Sequence, residues 1–171
     1  VQPSRCDGKR LRSARRPGPT GERNRFMPSR LIETSDILSR RILAIDDEEA
    51  NVLLLRSVLE REGYSDIHTL TDPTEAAAAY AELAPDIVLL DLMMPRIDGF
   101  QLLEAFARHD RPDEYRPVLV LTADTTLQAR RRALALGAKD FVSKPFDVIE
   151  VALRIGNLLE TRILYERIRM Q

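Results

Sequence analysis

The sequence predicts an α/β fold, a doubly wound five-stranded parallel sheet with an extended C-terminal helix. Three observations predict it. Short apolar runs alternate with helical periodicities five times within about 125 residues. The third run, Ile87-Val88-Leu89-Leu90, is continuously apolar, as a strand buried on both faces must be. Polar residues able to do chemistry directly follow three of the runs, at Asp46-Asp47, Asp91 and Thr122, and Lys144 stands just beyond the fifth. Strands joined by right-handed helical crossovers lie parallel, with helices on both faces, so their C-terminal ends share one edge.

The elements follow in order. Ile42 to Ile45 is the first strand. Glu49 to Glu62 carries Val52, Leu55, Val58 and Leu59 at helical spacing, and Gly63 stops it. Ile67 to Leu70 is a weaker second strand. Asp72-Pro73 opens a helix through the alanine run to Leu83, with proline at a tolerated first position. Ile87 to Leu90 is the third strand, followed by a loop marked by Pro95 and Asp98-Gly99. Phe100 to Arg108 is helical, with Leu102, Leu103 and Phe106 on its apolar face. Val118 to Leu121 is the fourth strand, and Thr125 to Leu136 a helix closed by Gly137. Asp140 to Val142 is the fifth strand. The last helix runs from about Asp147 to near the end.

Composition bounds the function. The 171 residues are 44% hydrophobic and 31% charged, as in a soluble globular chain, and no apolar run reaches membrane-spanning length. No secretory signal is visible, and the single cysteine, Cys6, fits a reducing cytoplasm. Cys6, His68 and His109 are too scattered for a zinc site. Residues 1–41 hold 11 Lys/Arg and 4 Asp/Glu, whereas the rest holds 15 and 23. A net +7 arm thus precedes a net −8 body, which argues against direct nucleic-acid binding by the folded domain. Residues 1–39, rich in Arg, Pro, Gly and Ser, are expected to form a disordered basic extension. Met27 is a candidate physiological start, a point N-terminal sequencing of native protein would decide.

Three carboxylates at one sheet edge repel each other and stay ionised together only around a cation. Hard oxygen donors with room for water and phosphate favour Mg²⁺. Lys144 adds a point charge suited to a phosphoryl oxygen, and Thr122 a short hydroxyl donor. Carboxylates act as nucleophiles to form aspartyl phosphates. Taken singly, the residues also have plain structural readings. Asp46-Asp47 would cap a helix, Asp91 a turn, Thr122 would end a strand and Phe141 would fill core.

As a set, Asp46-Asp47, the run from Asp91 to Gly99, Thr122-Ala123 and Lys144-Pro145-Phe146 resemble the receiver domain of two-component response regulators over residues 40–160. The resemblance implies a flavodoxin-like sheet of order 2-1-3-4-5. It implies that Asp91 accepts a phosphoryl group from a histidine kinase or phosphotransfer protein. Asp46, Asp47, Asp91 and the main-chain carbonyl of Met93 would hold Mg²⁺. Lys144 would contact Asp91 and then the phosphoryl group, while Thr122 would swing in to bond it. Phe141 takes the switch-aromatic place, without the hydroxyl of the tyrosine many members carry. Lys144-Pro145 is where the family has a cis peptide.

The same resemblance implies a switch acting on the surface of the fourth helix, fifth strand and fifth helix. That surface, or the last helix, would control homodimerisation or an effector partner. Residues 161–171 continue the last helix as a linker or coiled coil. The chain would act in the cytoplasm as a signalling domain, not an enzyme, with no membrane partner. Two other classes are weighed. A haloacid dehalogenase-like phosphatase needs a second Asp two residues after the nucleophile, where this chain has Met93. A phosphorylation-independent scaffold has no need for the complete set of acids.

Overall fold

The computed structural model describes residues 31–171. The expectations for residues 1–30, including the basic arm and the Met27 start, lie outside them. Residues 32–171 form one compact unit. The order is α1 (Thr34–Leu38), β1 (Ile42–Ile45), α2 (Glu49–Glu62), β2 (Ile67–Leu70), a 3-10 turn (Pro73–Glu75), α3 (Ala76–Leu83), β3 (Ile87–Leu90), α4 (Gly99–His109), β4 (Val118–Thr122), α5 (Leu127–Ala135), β5 (Asp140–Ser143) and α6 (Val148–Arg169). The fourth and fifth helices of the sequence reading are therefore α5 and α6.

The five strands form one parallel sheet in the order β2-β1-β3-β4-β5. Alternation within each strand divides the core. Leu43, Ile45, Val88, Leu90, Val118 and Val120 face α3, α4 and α5. Ile42, Ala44, Ile87, Leu89, Leu119 and Leu121 face α2 and α6. Every residue of β1, β3 and β4 is buried, which explains their unbroken apolar runs. Gly63, at φ 100°, and Gly137, at φ 107°, turn the chain after α2 and α5 in the left-handed region.

Helix α1 corrects part of the expected disordered extension. Residues 34–38 are helical because Glu33 and Asp36 form a reciprocal capping box, and Ile37 and Leu38 pack on the α2/α6 side of the core. Two isolated apolar residues in a polar stretch gave no periodic signal.

The last helix also differs from the expectation that its continuation leaves the domain. Arg162 and Ile163 are buried. Arg162 Nε donates to Asp86 at 2.9 Å, and its guanidinium also bonds the Tyr115 carbonyl and pairs with Glu166. Arg40 bridges Asp86 at 3.3 Å and Glu166 at 2.7 Å. Tyr165 stacks on Tyr115, Arg167 pairs with Asp36 and Arg169 with Asp113. These contacts gather where β1, β3 and β4 begin, so one side of α6 stays on its own domain to its last turn.

Candidate functional site

The strand order brings the predicted polar residues to the carboxyl edge. Asp46 directly follows β1 and Asp91 follows β3, Thr122 is the last residue of β4, and Lys144 follows β5. Asp46 is tied into the sheet by its N–H to the Leu70 carbonyl at 3.2 Å, and Asp91 by its N–H to the Ile45 carbonyl at 3.0 Å. Both side chains are nearly buried, whereas Asp47 is half-buried. One carboxylate oxygen from each of Asp46, Asp47 and Asp91 lies within 4.8 Å of the others.

Lys144 is the cation among them. Its ammonium bonds Asp46 and lies 3.3 Å from Asp91 Oδ2. Burial works against its charge, but the bond to Asp46 and the field of Asp91 outweigh that and raise its pKa. Burial pushes the Asp91 carboxyl above the ordinary carboxylate range. Lys144 and the Met93 N–H pull it down, and Asp46 pushes it up again.

Further contacts hold these groups, those of Glu48 and Asn51 being ones the sequence reading missed. Asp46 Oδ1 accepts the Glu48 N–H at 3.0 Å, and the Asn51 amide donates to Asp46 Oδ2 at 3.1 Å. Asn51, two residues into α2, carried no signal beyond being polar. The Met93 N–H donates to Asp91 Oδ1 at 3.2 Å, so this main chain orients the acid. Gly99 is required by a close approach. A Cβ there would lie 2.4 Å from the Asp91 carbonyl oxygen and 2.7 Å from Leu92 Cα. The Gly99 N–H donates to the Leu92 carbonyl at 3.0 Å, and Asp98 caps α4 behind it.

Thr122 is fully buried, and its hydroxyl accepts the Asp124 N–H at 3.3 Å. The Lys144 N–H donates to the Thr122 carbonyl at 2.8 Å, joining these two residues through the main chain. Lys144-Pro145 is cis. Phe141 is buried within β5, with the Arg130 guanidinium 5.1 Å above its ring. Asp91, Met93, Asn51, Lys144 and Phe146 line one open cavity of about 460 Å³. No described helix is long and apolar enough to cross a membrane.

Comparison with known proteins gives the same picture. A family model described as the response regulator receiver domain matches residues 42–155. The DNA-binding dual master transcriptional regulator RpaA of Synechocystis is 40% identical over 119 residues, 70% of this chain and 48% of that protein. The response regulator PleD of Caulobacter vibrioides is 37% identical over 134 residues, 78% of this chain and 29% of its own. This chain thus spans half or less of the length of these curated relatives. Among solved structures, a response regulator described as putative from Chloroflexus aurantiacus is 29% identical with TM-score 0.65, covering 71% of this chain and 98% of that one. The CheX-CheY-BeF3-Mg²⁺ complex from Borrelia burgdorferi matches at 30% identity and TM-score 0.64, over 70% and 88%. With its 2-1-3-4-5 sheet and the acids at the carboxyl edge, this chain belongs to the response regulator receiver domain family.

Proposed function

We propose that this chain is the phosphoacceptor of a two-component system, and that Asp91 takes the phosphoryl group from a histidine kinase or phosphotransfer protein. The observation that carries this reading is Lys144 set against both Asp91 and Asp46, with Asp47 alongside, where Asp91 and Lys144 line an open cavity. Three acids with one ammonium leave excess negative charge at the edge, and burial, with a smaller push from Asp46, raises the pKa of Asp91 there. An all-oxygen donor set open to water fits Mg²⁺. Asp46, Asp47, Asp91 and the Met93 carbonyl would hold it, and its bound charge would offset that of the transferring phosphoryl oxygens.

The chain's own residues do the rest. An Asp91 oxygen forms the O–P bond while the P–N bond of the phosphohistidine breaks, and the departing imidazole keeps the electron pair. The Met93 N–H and Lys144 hold the Asp91 carboxylate in position beforehand. Lys144 then turns to a phosphoryl oxygen, and the Thr122 hydroxyl bonds another. Movement of Thr122 draws on the space beside Phe141, which repacks and biases the outer surface of α5, β5 and α6. The change is a population shift between two states.

That surface, or α6 itself, serves a second copy or an output partner, in the cytoplasm. A scaffold indifferent to phosphorylation would leave the buried acids and Lys144 without a reason. The test adds beryllofluoride with Mg²⁺, a phosphoryl mimic, and follows amide resonances. Shifts at Thr122, Phe141 and Lys144 that extend over α5, β5 and α6 are expected. Shifts confined to Asp46 and Asp91, or none, would contradict the switch.

A further inference from the structure

Helix α6 is covered by its own domain along one side, through Val151, Ile155, Leu159, Arg162 and Ile163. Its other side exposes Ile149, Leu153, Leu164 and Ile168, at 69%, 64%, 46% and 70%. At about 100° per residue these four fall within a stripe roughly 100° wide, with Asn157 and Glu160 between them. Positions along the stripe recur every eleven residues, as Leu153 and Leu164 do. That repeat is about 3.67 residues per turn, so the stripe runs almost straight along the helix.

The stripe is also symmetric about the point between Leu158 and Leu159. Ile149 mirrors Ile168, Leu153 mirrors Leu164, and Asn157 mirrors Glu160. Laid against its own reverse, it matches apolar with apolar at both ends and amide with carboxylate at the centre. We propose that two copies of this chain pair antiparallel through this face of α6. The proposal deepens the reading of α6 as a dimerisation element and rests on it.

The ion pairs from Arg162, Arg167 and Arg169 to the domain fix which side of α6 faces outward, so the stripe is presented along its whole length. Parallel pairing would set Glu160 on the partner's Glu160, bringing like charges together. Antiparallel pairing lets the Asn157 amide donate to the partner's Glu160, twice, by the two-fold symmetry of an isologous contact. Each apolar layer then joins an N-terminal residue of one helix to a C-terminal residue of the other over about 28 Å. Ile149 and Leu153 also belong to the α5-β5-α6 surface. The antiparallel pair and a partner on that surface therefore exclude each other, and phosphorylation acts on the balance between them.

The test uses the full chain with Cys6→Ser, which removes the one native thiol. Leu153→Cys and Leu164→Cys are made separately and oxidised mildly, alone and mixed. Cross-linked dimer at least tenfold more abundant in the mixture than in either variant alone is expected. Equal cross-linking within a single variant, or none in any sample, overturns the proposal. Leu164→Glu with Ile168→Glu, both exposed and so compatible with folding, is expected to halve the mass measured by ultracentrifugation while leaving phosphoryl uptake at Asp91 intact. A wild type that is monomeric but takes up phosphoryl overturns the pairing alone. A wild-type dimer broken by the double substitution, with no phosphoryl uptake, supports the pairing and overturns the site reading instead.

Discussion

Lys144 Nζ lies 3.3 Å from Asp91 Oδ2 while bonded to Asp46, so one ammonium spans two of the three acids at the sheet edge. The same charge that holds Asp91 in place would compete with a metal cation for these carboxylates. Lys144→Ala should therefore move two quantities in opposite directions. Mg²⁺ affinity, read by calorimetry, should rise several-fold as a neighbouring positive charge is removed. Phosphoryl uptake from a small donor, read by mass, should slow by about 10²-fold or more, since a preorganised cation is lost from the transferring oxygens. A fall in both would show that Lys144 mainly supports the fold.

The approach of Gly99 to the Asp91 main chain makes a second prediction. A Cβ at 2.4 Å from a backbone oxygen cannot be relieved by rotating a side chain. Gly99→Ala should cost about 1–3 kcal/mol in urea unfolding. It should also reduce phosphoryl uptake in the fraction that remains folded, because the loop that orients Asp91 must shift. Ordinary stability with ordinary uptake would mean that this loop is looser than the distances imply.

At the opposite edge, Asp86 and Glu166 are bridged by Arg40 and Arg162. The Arg162 side chain is only 9% exposed. Arg162→Ala should destabilise by about 3 kcal/mol, because it leaves Asp86 short of a buried partner. Adding Asp86→Ala should cost less than the sum of the two single changes, since the stranded charge goes with it. Hydrogen exchange in the last two turns of α6 should quicken in Arg162→Ala. Additive effects would mean that the two residues act independently.

Alkaline pH should weaken the fold. Burial, aided by the Glu62 charge, pushes the Tyr64 hydroxyl up to about 12, above the roughly 10 of an unfolded chain. Tyr80 is raised as well, by burial and by its 2.6 Å hydrogen bond to Asp110. The folded state therefore favours the protonated form. This contribution is fully present below about pH 10 and is lost as the pH rises towards 12. Tyrosinate absorbance should lag behind free tyrosine and then rise together with loss of ellipticity. Ionisation of all four tyrosines near pH 10 with the fold intact would contradict this.

Much of the site was legible because strand ends are legible. A continuous apolar run identifies a strand buried on both faces, and the next residue must then lie at the edge, as Asp91 does. Asp46, Thr122 and Lys144 are placed by the same logic. What escaped depends on long-range partners. Asp86 and Arg162 are 76 positions apart, and neither one's spacing announces the other. The α1 helix rests on two apolar contacts and a capping box, too little for a periodic pattern. Asn51 matters only because Asp46 sits beside its amide. Gly99 read as turn chemistry, whereas the structure shows that the adjacent backbone excludes a side chain.

The most direct test of the account is intact-protein mass spectrometry after incubation with a small phosphodonor. Wild type and Asp91→Asn are compared, each with and without Mg²⁺. A gain of one phosphoryl group is expected in wild type with Mg²⁺, and in no other sample. A folded wild type that gains nothing, or an Asp91→Asn protein that gains as much, would contradict it.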